Sequence, residues 1–340
     1  MKSVRSSKRC LWPYVGSFAL AILWAMPAAG ADPAALKLVQ TIPLKGPEGR
    51  LDHLAIDASH ARLFVANMAN SSLDIVDLKA GKLARQIPDQ KKIQGIAFVP
   101  ELDRIFVGNG DDGVCNVFDG KDYKLLKAIK LPDADNVRYD KRTNRIYVAH
   151  AEKSLAVIDP KSFEIKADIK LPASPEAFLV DSDNGRLYLN TPSPSQVLVI
   201  DTQKNKVIET FPLKLAGDNF PLALDKDNQR LFVGCRKKPK IVVLDSKSGN
   251  EITSVDIPSD LDDLFFDAKR KRIYASCGEG FLTVIRQLDP DRYEVQEKIP
   301  TAKLARTSLF EPETGRLYLV MPKQKDKEGP SVRVYQAVSD

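Results

Sequence analysis

The chain has 340 residues, 51 Lys and Arg against 45 Asp and Glu, 43% hydrophobic residues, and only four Cys and three His. Four of the basic residues and none of the acidic ones lie in the first 31 positions, leaving 47 against 45, a net +2. So small an excess excludes a charge-driven partnership with nucleic acid or an anionic membrane, and sparse cysteine excludes a disulfide-framed scaffold.

The first segment has a basic start (Lys2, Arg5, Lys8, Arg9), an apolar stretch from Leu11 to Pro27, and a small-residue tripeptide Ala29-Gly30-Ala31. This pattern predicts a cleavable secretory signal peptide over 1–31, too short and wrongly flanked for a membrane span. The pair Lys8-Arg9 is not a twin arginine, so general secretion is expected. The apolar stretch has no Cys after it to carry a lipid. Residues 32–340 are then one exported domain, periplasmic or secreted, with no membrane span, and a monomer is expected.

After the leader, Leu38–Leu44 alternates as a strand, and then one phrase returns seven times. Its copies are Arg62-Leu-Phe-Val, Arg104-Ile-Phe-Val, Arg145-Ile-Tyr-Val, Arg186-Leu-Tyr-Leu, Arg230-Leu-Phe-Val, Arg272-Ile-Tyr-Ala and Arg316-Leu-Tyr-Leu, at intervals of 41 to 44 residues. Each unit reads as four strands: a short apolar one (Leu54-Ala55-Ile56), a polar turn, the Arg-aromatic strand, a third ending in an acid (Asp77, Asp119, Asp159, Asp201, Asp245), and an alternating fourth. The chain shows no helical period after the leader. A repeat near 40 residues with β content in each unit predicts a propeller, in which one small sheet cannot bury both faces alone.

The last unit, beginning near Ala305, ends after Ser331–Tyr335 without a fourth strand. Leu38–Leu44 fills that gap. The expected fold is therefore all-β, a seven-bladed β-propeller of four-stranded antiparallel blades whose last blade is closed by the mature N-terminal strand. Such closure removes exposed sheet edges.

The strands Ile146-Tyr-Val-Ala and Leu63-Phe-Val-Ala-Asn67 resemble the motif of the YVTN-repeat β-propeller family, over all seven units. Arg50-Leu-Asp-His53, Asp135–Asp140, Asn219–Asp225, Gly234-Cys-Arg236, Asp262–Asp267, Gly278–Phe281 and Ala305–Phe310 are similar to a secreted bacterial subgroup of that family. The resemblance implies architecture and export. It implies no reaction.

A residue filled alike in every unit is scaffold, so the repeated Arg is expected to pair with its turn acid or to pack over the next strand. Function is expected where units differ, at one mouth of the channel. The lead-in positions of the first strands (Asp52-His53, Gln94-Gly95, Asp135-Asn136, Glu176-Ala177, Asp218–Pro221, Asp262-Asp263, Arg306-Thr307) and the exits of the second strands (Asn67, Asn109, His150, Asn190, Cys235-Arg236, Cys277 with Glu279, Met321) are expected to form a funnel. The expected ligand site is Asp52, His53, Asn136, Arg138, Glu176, Asn219, Arg236, Asp262 and Arg306. It would recognise a small polar molecule or a periplasmic protein, and replacing Asp262 and Arg306 by Ala is expected to leave stability unchanged.

Other chemistries are open at the same mouth. Asp52, Asn136, Glu176, Asn219 and Asp262 could offer oxygen ligands to a divalent cation such as Ca²⁺. That would suit a metal-assisted lactonase or lyase with His53 or His150 as the proton-transfer group. A soft site from His53, His150, Cys235 and Cys277 lacks metal-ligand spacing, and His53 should lie far from blades five and six. The arginines could hold a carboxylate by bidentate hydrogen bonds. A partner subunit of a periplasmic redox enzyme is a third role, by analogy of fold.

No P-loop, dinucleotide fingerprint, Gly-x-Ser-x-Gly elbow or haem-attachment motif is present. Cys235 and Cys277 match in adjacent units, but face-to-face sheets about 10 Å apart exceed disulfide reach, so buried thiols are expected. Cys115 stands at an apolar third-strand position and is expected in the core.

Overall fold

The computed structural model of the chain describes residues 34–151, 153–325 and 329–339, together with Met1 and Ser3. Apart from those two residues, the signal-peptide reading of 1–31 lies outside the described residues. Residues Ala34–Asp340 form one compact unit, built of seven four-stranded antiparallel sheets. The only helical segments among the described residues are three single 3-10 turns, at Met68–Asn70, Pro100–Leu102 and Ser182–Asn184.

Blades are numbered in chain order from their inner strands: Leu54–Asp57, Ile93–Val99, Val137–Asp140, Phe178–Asp181, Gly217–Asp225, Leu261–Asp267 and Ser308–Glu311. The chain then runs outward by hairpins within each blade. In blade seven the outermost strand is Leu36–Pro43, which pairs antiparallel with Ser331–Ala337. The N-terminal segment therefore completes the sheet made by the C-terminal one.

The repeated phrase has a local cause. The residue before each repeated Arg adopts left-handed backbone in all seven blades: Ala61, Asp103, Asn144, Gly185, Gln229, Lys271 and Gly315, with φ between 46° and 67°. That conformation reverses the chain between the first and second strands, and it costs a non-glycine residue roughly 1–2 kcal/mol. Side-chain capping offsets part of the cost. The Oδ1 atoms of Asp57, Asp225 and Asp267 accept backbone N–H groups of their own turns. The third-strand acids do the same at the outer hairpin; Asp77, Asp119, Asp159, Asp201 and Asp245 each accept two turn N–H groups. These are Asx-type turns, and the acids are scaffold.

The repeated Arg reaches further than its own turn. Arg62 bridges Asp57 at 2.7 Å and Asp103 of blade two at 2.8 Å, donates to the Gly120 carbonyl, and lies over the Phe64 and Phe98 rings. Arg104 donates to the Pro160 carbonyl of blade three and stacks on Phe163. Arg230 pairs with Asp291 of blade six at 2.7 Å. Arg272, 1% exposed, donates to Val338 and Ala35 at the two ends of blade seven. In these four blades the Arg joins each sheet to the next.

Between the sheets lie seven apolar cores, one for each neighbouring pair. The ring-closing core packs Ile42 and Leu44 with Tyr318, Val320 and Val332 of blade seven and Leu51, Leu63 and Val65 of blade one. Full closure leaves the inner strands lining a central channel. Any side chain that one inner strand turns inward meets six others at nearby heights.

Candidate functional site: a charged layer across the channel

Five positions before the last residue of each inner strand stand Asp52, Gln94, Asp135, Glu176, Phe220, Asp262 and Arg306. Their common place in the repeat puts them at one height, where the chain enters the inner strands. The layer they form is highly charged and largely buried. Asp52 is fully buried and Asp262 is 6% exposed.

Asp262 is its hub. Arg236 Nη2 bonds one carboxylate oxygen, while Arg306 Nε at 2.9 Å and Arg50 Nη2 at 3.6 Å approach the other. Arg50 also reaches Asp52 at 3.0 Å. Asp260, two residues before Asp262, pairs with Arg306 and lies 3.8 Å from Arg236. Arg236 is fixed by donating Nε–H to the Leu261 carbonyl at 2.8 Å and by lying 3.4 Å from the Phe220 ring centroid. Two glycines make this packing possible. A Cβ on Gly278 would stand 2.0 Å from Asp260 Oδ2, and one on Gly95 would stand 2.1 Å from the Asp135 carbonyl.

Just inside the layer, His53 Nδ1 lies 3.5 Å from Asp263 and its Nε2 lies 3.8 Å from Asp52. Burial lowers the His53 pKa, but the two carboxylates outweigh it and carry it up to about 9, so the ring is cationic at neutral pH. Asp263 also accepts the Ser308 N–H at 2.8 Å. Two acids of the layer behave differently. Burial, helped by Asp135 and Asp262, pushes Glu176 up to about 8, and burial with Asp52 pushes Asp135 up to about 6. Among the described residues neither carboxyl has an ion-pair partner.

The layer thus gathers Asp52, His53, Glu176, Arg236, Asp262 and Arg306 from the predicted set, with Asn136 and Arg138 beside it. It does not gather Asn219. That amide turns into the interface of blades four and five, bonding Asn190 Oδ1 and donating to the Gln196 carbonyl at 2.9 Å. His150 also lies elsewhere, with Nε2 3.0 Å from Asp168 on the outermost strand of blade three. Of the second-strand exits, Asn67 donates to Asp74 and to the Lys45 carbonyl, and Asn109 donates to Gln90 in the connection between blades one and two.

Two expectations are corrected. His53 lies beside blade six, because the channel is narrow enough for side chains to meet across it. Asp262 is no free loop acid but the buried partner of three arginines, so removing its carboxylate alone is expected to cost stability.

Residues missing from the predicted set are Arg50, Asp135, Asp260 and Asp263. The signal for two of them was available, since Asp135 and Asp263 stand in the lead-in pairs already singled out. Arg50 and Asp260 precede the inner strands, Asp260 with left-handed backbone, where strand alternation does not place a side chain. Among the described residues, no three His, Cys, Asp or Glu side chains converge in a way that could hold a metal ion.

Cys115, Cys235 and Cys277 are free and fully buried, and burial pushes each thiol up to about 12. Reactivity follows thiolate and access. Ellman's reagent is accordingly expected to leave all three unmodified in the folded protein and to titrate them after guanidinium unfolding. Rapid reaction in the native state would contradict this packing.

No protein-family model matches the chain. A Salmonella typhimurium protein described as "Uncharacterized protein YncE" is 25% identical over 280 residues, which is 76% of this chain and 77% of that protein. Its Escherichia coli O157:H7 namesake is 26% identical over 197 residues, covering 52% of this chain and 54% of its own length. Among solved structures, a chain of Kuenenia stuttgartiensis hydrazine synthase superposes with a TM-score of 0.74 at 16% identity, covering 87% of this chain and 98% of that one. The first likenesses are of sequence and the last is of architecture alone; together they fit a family of β-propellers.

Proposed function

We propose that this protein is an exported binding module, of the YVTN-repeat kind, that takes a small polar ligand on the outer face of the charged layer. The observation that carries the proposal is the imbalance within the layer. Arg50, Arg236 and Arg306 are matched to Asp52, Asp260 and Asp262, whereas Asp135 and Glu176 have no ion pair among the described residues and remain partly accessible. Two carboxyls left open beside the ion pairs, Asp135 ionised and Glu176 neutral at pH 7, suit a ligand with several hydrogen-bond donors, such as a sugar, an amino sugar or a short polyamine. The buried pairs around them would hold the carboxyls in place without competing for the ligand.

A thermal-shift screen of the full chain against sugars, amino sugars and polyamines tests the reading. A hit is expected to raise the melting temperature in a concentration-dependent way. The double variant Asp135→Asn, Glu176→Gln should fold and bind the same compound at least tenfold more weakly. Full retention of the shift in the double variant would remove the site from the layer. No hit in the panel would remove this ligand class.

A further inference from the structure

Inside the charged layer the channel changes character. A chamber of about 430 Å³ runs along the inner strands from His53, Arg138 and Asp263 at one end to Lys226 and Pro312 at the turn end. Tyr139, Leu179, Leu224, Phe265 and Leu309 are among the apolar residues of its walls, with His53, Arg138, Asp263, Ser308 and Lys226 as polar ones. None of Arg50, Asp52, Asp135, Glu176, Asp262 and Arg306 lines it, so it is a space distinct from the outer face of the layer.

Arg138 stands alone in this chamber. It occupies the place in the repeat that other blades fill with Ala55, Ala97, Leu179, Ala223, Phe265 and Leu309. Among the described residues it has no carboxylate within ion-pair distance, unlike the other three arginines at the channel. Its guanidinium donates to its neighbours, the Val137 carbonyl and Asn136 Oδ1, both at 3.0 Å. Asp263, the nearest acid at that end, is already engaged by His53 and the Ser308 N–H. At the far end Lys226 is matched by Asp183 at 2.6 Å. Asn136, whose Oδ1 takes one of those bonds, is fully buried and lies outside the chamber's lining, so Arg138 alone presents a cationic donor there without a carboxylate partner. Burial also pushes the Arg138 guanidinium below its usual range.

We infer that the chamber binds a small organic anion with an apolar body, its carboxylate-type head on Arg138 and its body along the aromatic and aliphatic side chains of the walls. A guanidinium without a carboxylate partner at the end of a bore with apolar side chains along it is matched by one anionic group, which supplies the counter-charge and accepts its hydrogen bonds. The volume lies within the range of small-molecule sites. This site goes beyond the polar-ligand reading and stands or falls separately from it.

Calorimetric titration of the full chain with 2-naphthoate and with decanoate, against neutral 2-naphthamide, tests the inference. At least one acid is expected to bind, with the amide at least tenfold weaker than naphthoate where naphthoate is the binder. Arg138→Met should weaken the acid at least tenfold while leaving the unliganded melting temperature unchanged or higher, since it removes an unpaired charge. Leu309→Trp, which narrows the bore while keeping the Arg138 guanidinium, should also block binding. Asp135→Asn with Glu176→Gln should leave it intact. No binding of either acid at millimolar concentration, or affinity within threefold of wild type in both Arg138→Met and Leu309→Trp, overturns the inference. Loss confined to the Asp135, Glu176 variant would place the acid on the layer's outer face and overturn it as well.

Discussion

Replacing Asp262 by Ala is expected to lower the unfolding free energy by about 3 kcal/mol, the scale for removing one partner of a buried ion pair. Three guanidinium groups converge on this carboxylate, two of them 15–18% exposed. Without it, Arg236 and Arg306 keep only Asp260, and Arg50 keeps only Asp52. Like charges then face each other in a space that excludes most water. Asp262→Asn should cost less than Ala, because the amide oxygen still accepts one hydrogen bond. Arg50→Ala should cost least, because Arg50 is the most exposed of the three, with 37% of its side chain in solvent. Urea unfolding of the three variants gives the order. An Asp262→Ala protein within 0.5 kcal/mol of wild type would mean that the layer is solvated rather than cohesive.

This expectation differs from the one drawn from sequence, and the difference has a physical source. Seven similar phrases reveal that the chain closes into blades, because period and β content depend on local chemistry: the left-handed residue before each Arg, the Asx turns, the alternation of apolar residues. They also mark which positions vary. Contacts across the channel depend on something no single blade contains, the distance between inner strands once the ring has closed. Arg50 and Asp262 are 212 positions apart in the chain, yet they approach to 3.6 Å. The same closure brings His53 to Asp263, and it leaves His150 outside because its strand is second in the blade and turns it toward Asp168. Arg138 belonged to the predicted site, but its isolation was not legible. Only the structure shows that Asp263, the acid lining the chamber with it, is already engaged by His53 and the Ser308 N–H.

The charged layer also dictates how stability changes with pH. His53 rises from 6.5 to about 9 on folding, so the folded state holds a proton that the unfolded chain releases between those values. A raised base contributes stability that is complete below pH 6.5 and is lost as pH climbs through 9. At 1.36 kcal/mol per unit the contribution is about 3 kcal/mol. Glu176, raised from 4.5 to about 8, and Asp135, raised from 3.8 to about 6, act with the same sign. Each stays protonated in the fold above the pH at which the unfolded chain ionises, so folding loses ground as pH rises through their windows. The charged groups facing them (Arg50, Arg138, Arg236 and Arg306, with Asp52, Asp262 and Asp263) come from five blades, Arg236 from the second strand of blade five and the others from inner strands and their lead-ins. The buried thiols add to the trend only above about pH 9, beyond the range in question. Stability measured by urea unfolding should therefore fall steadily from pH 5 to pH 9. His53→Gln should flatten the part between 6.5 and 9, and Glu176→Gln the part between 4.5 and 8. A wild-type stability that holds level or rises across this interval would show that His53 is neutral in the fold and that Asp52 and Asp263 do not govern it.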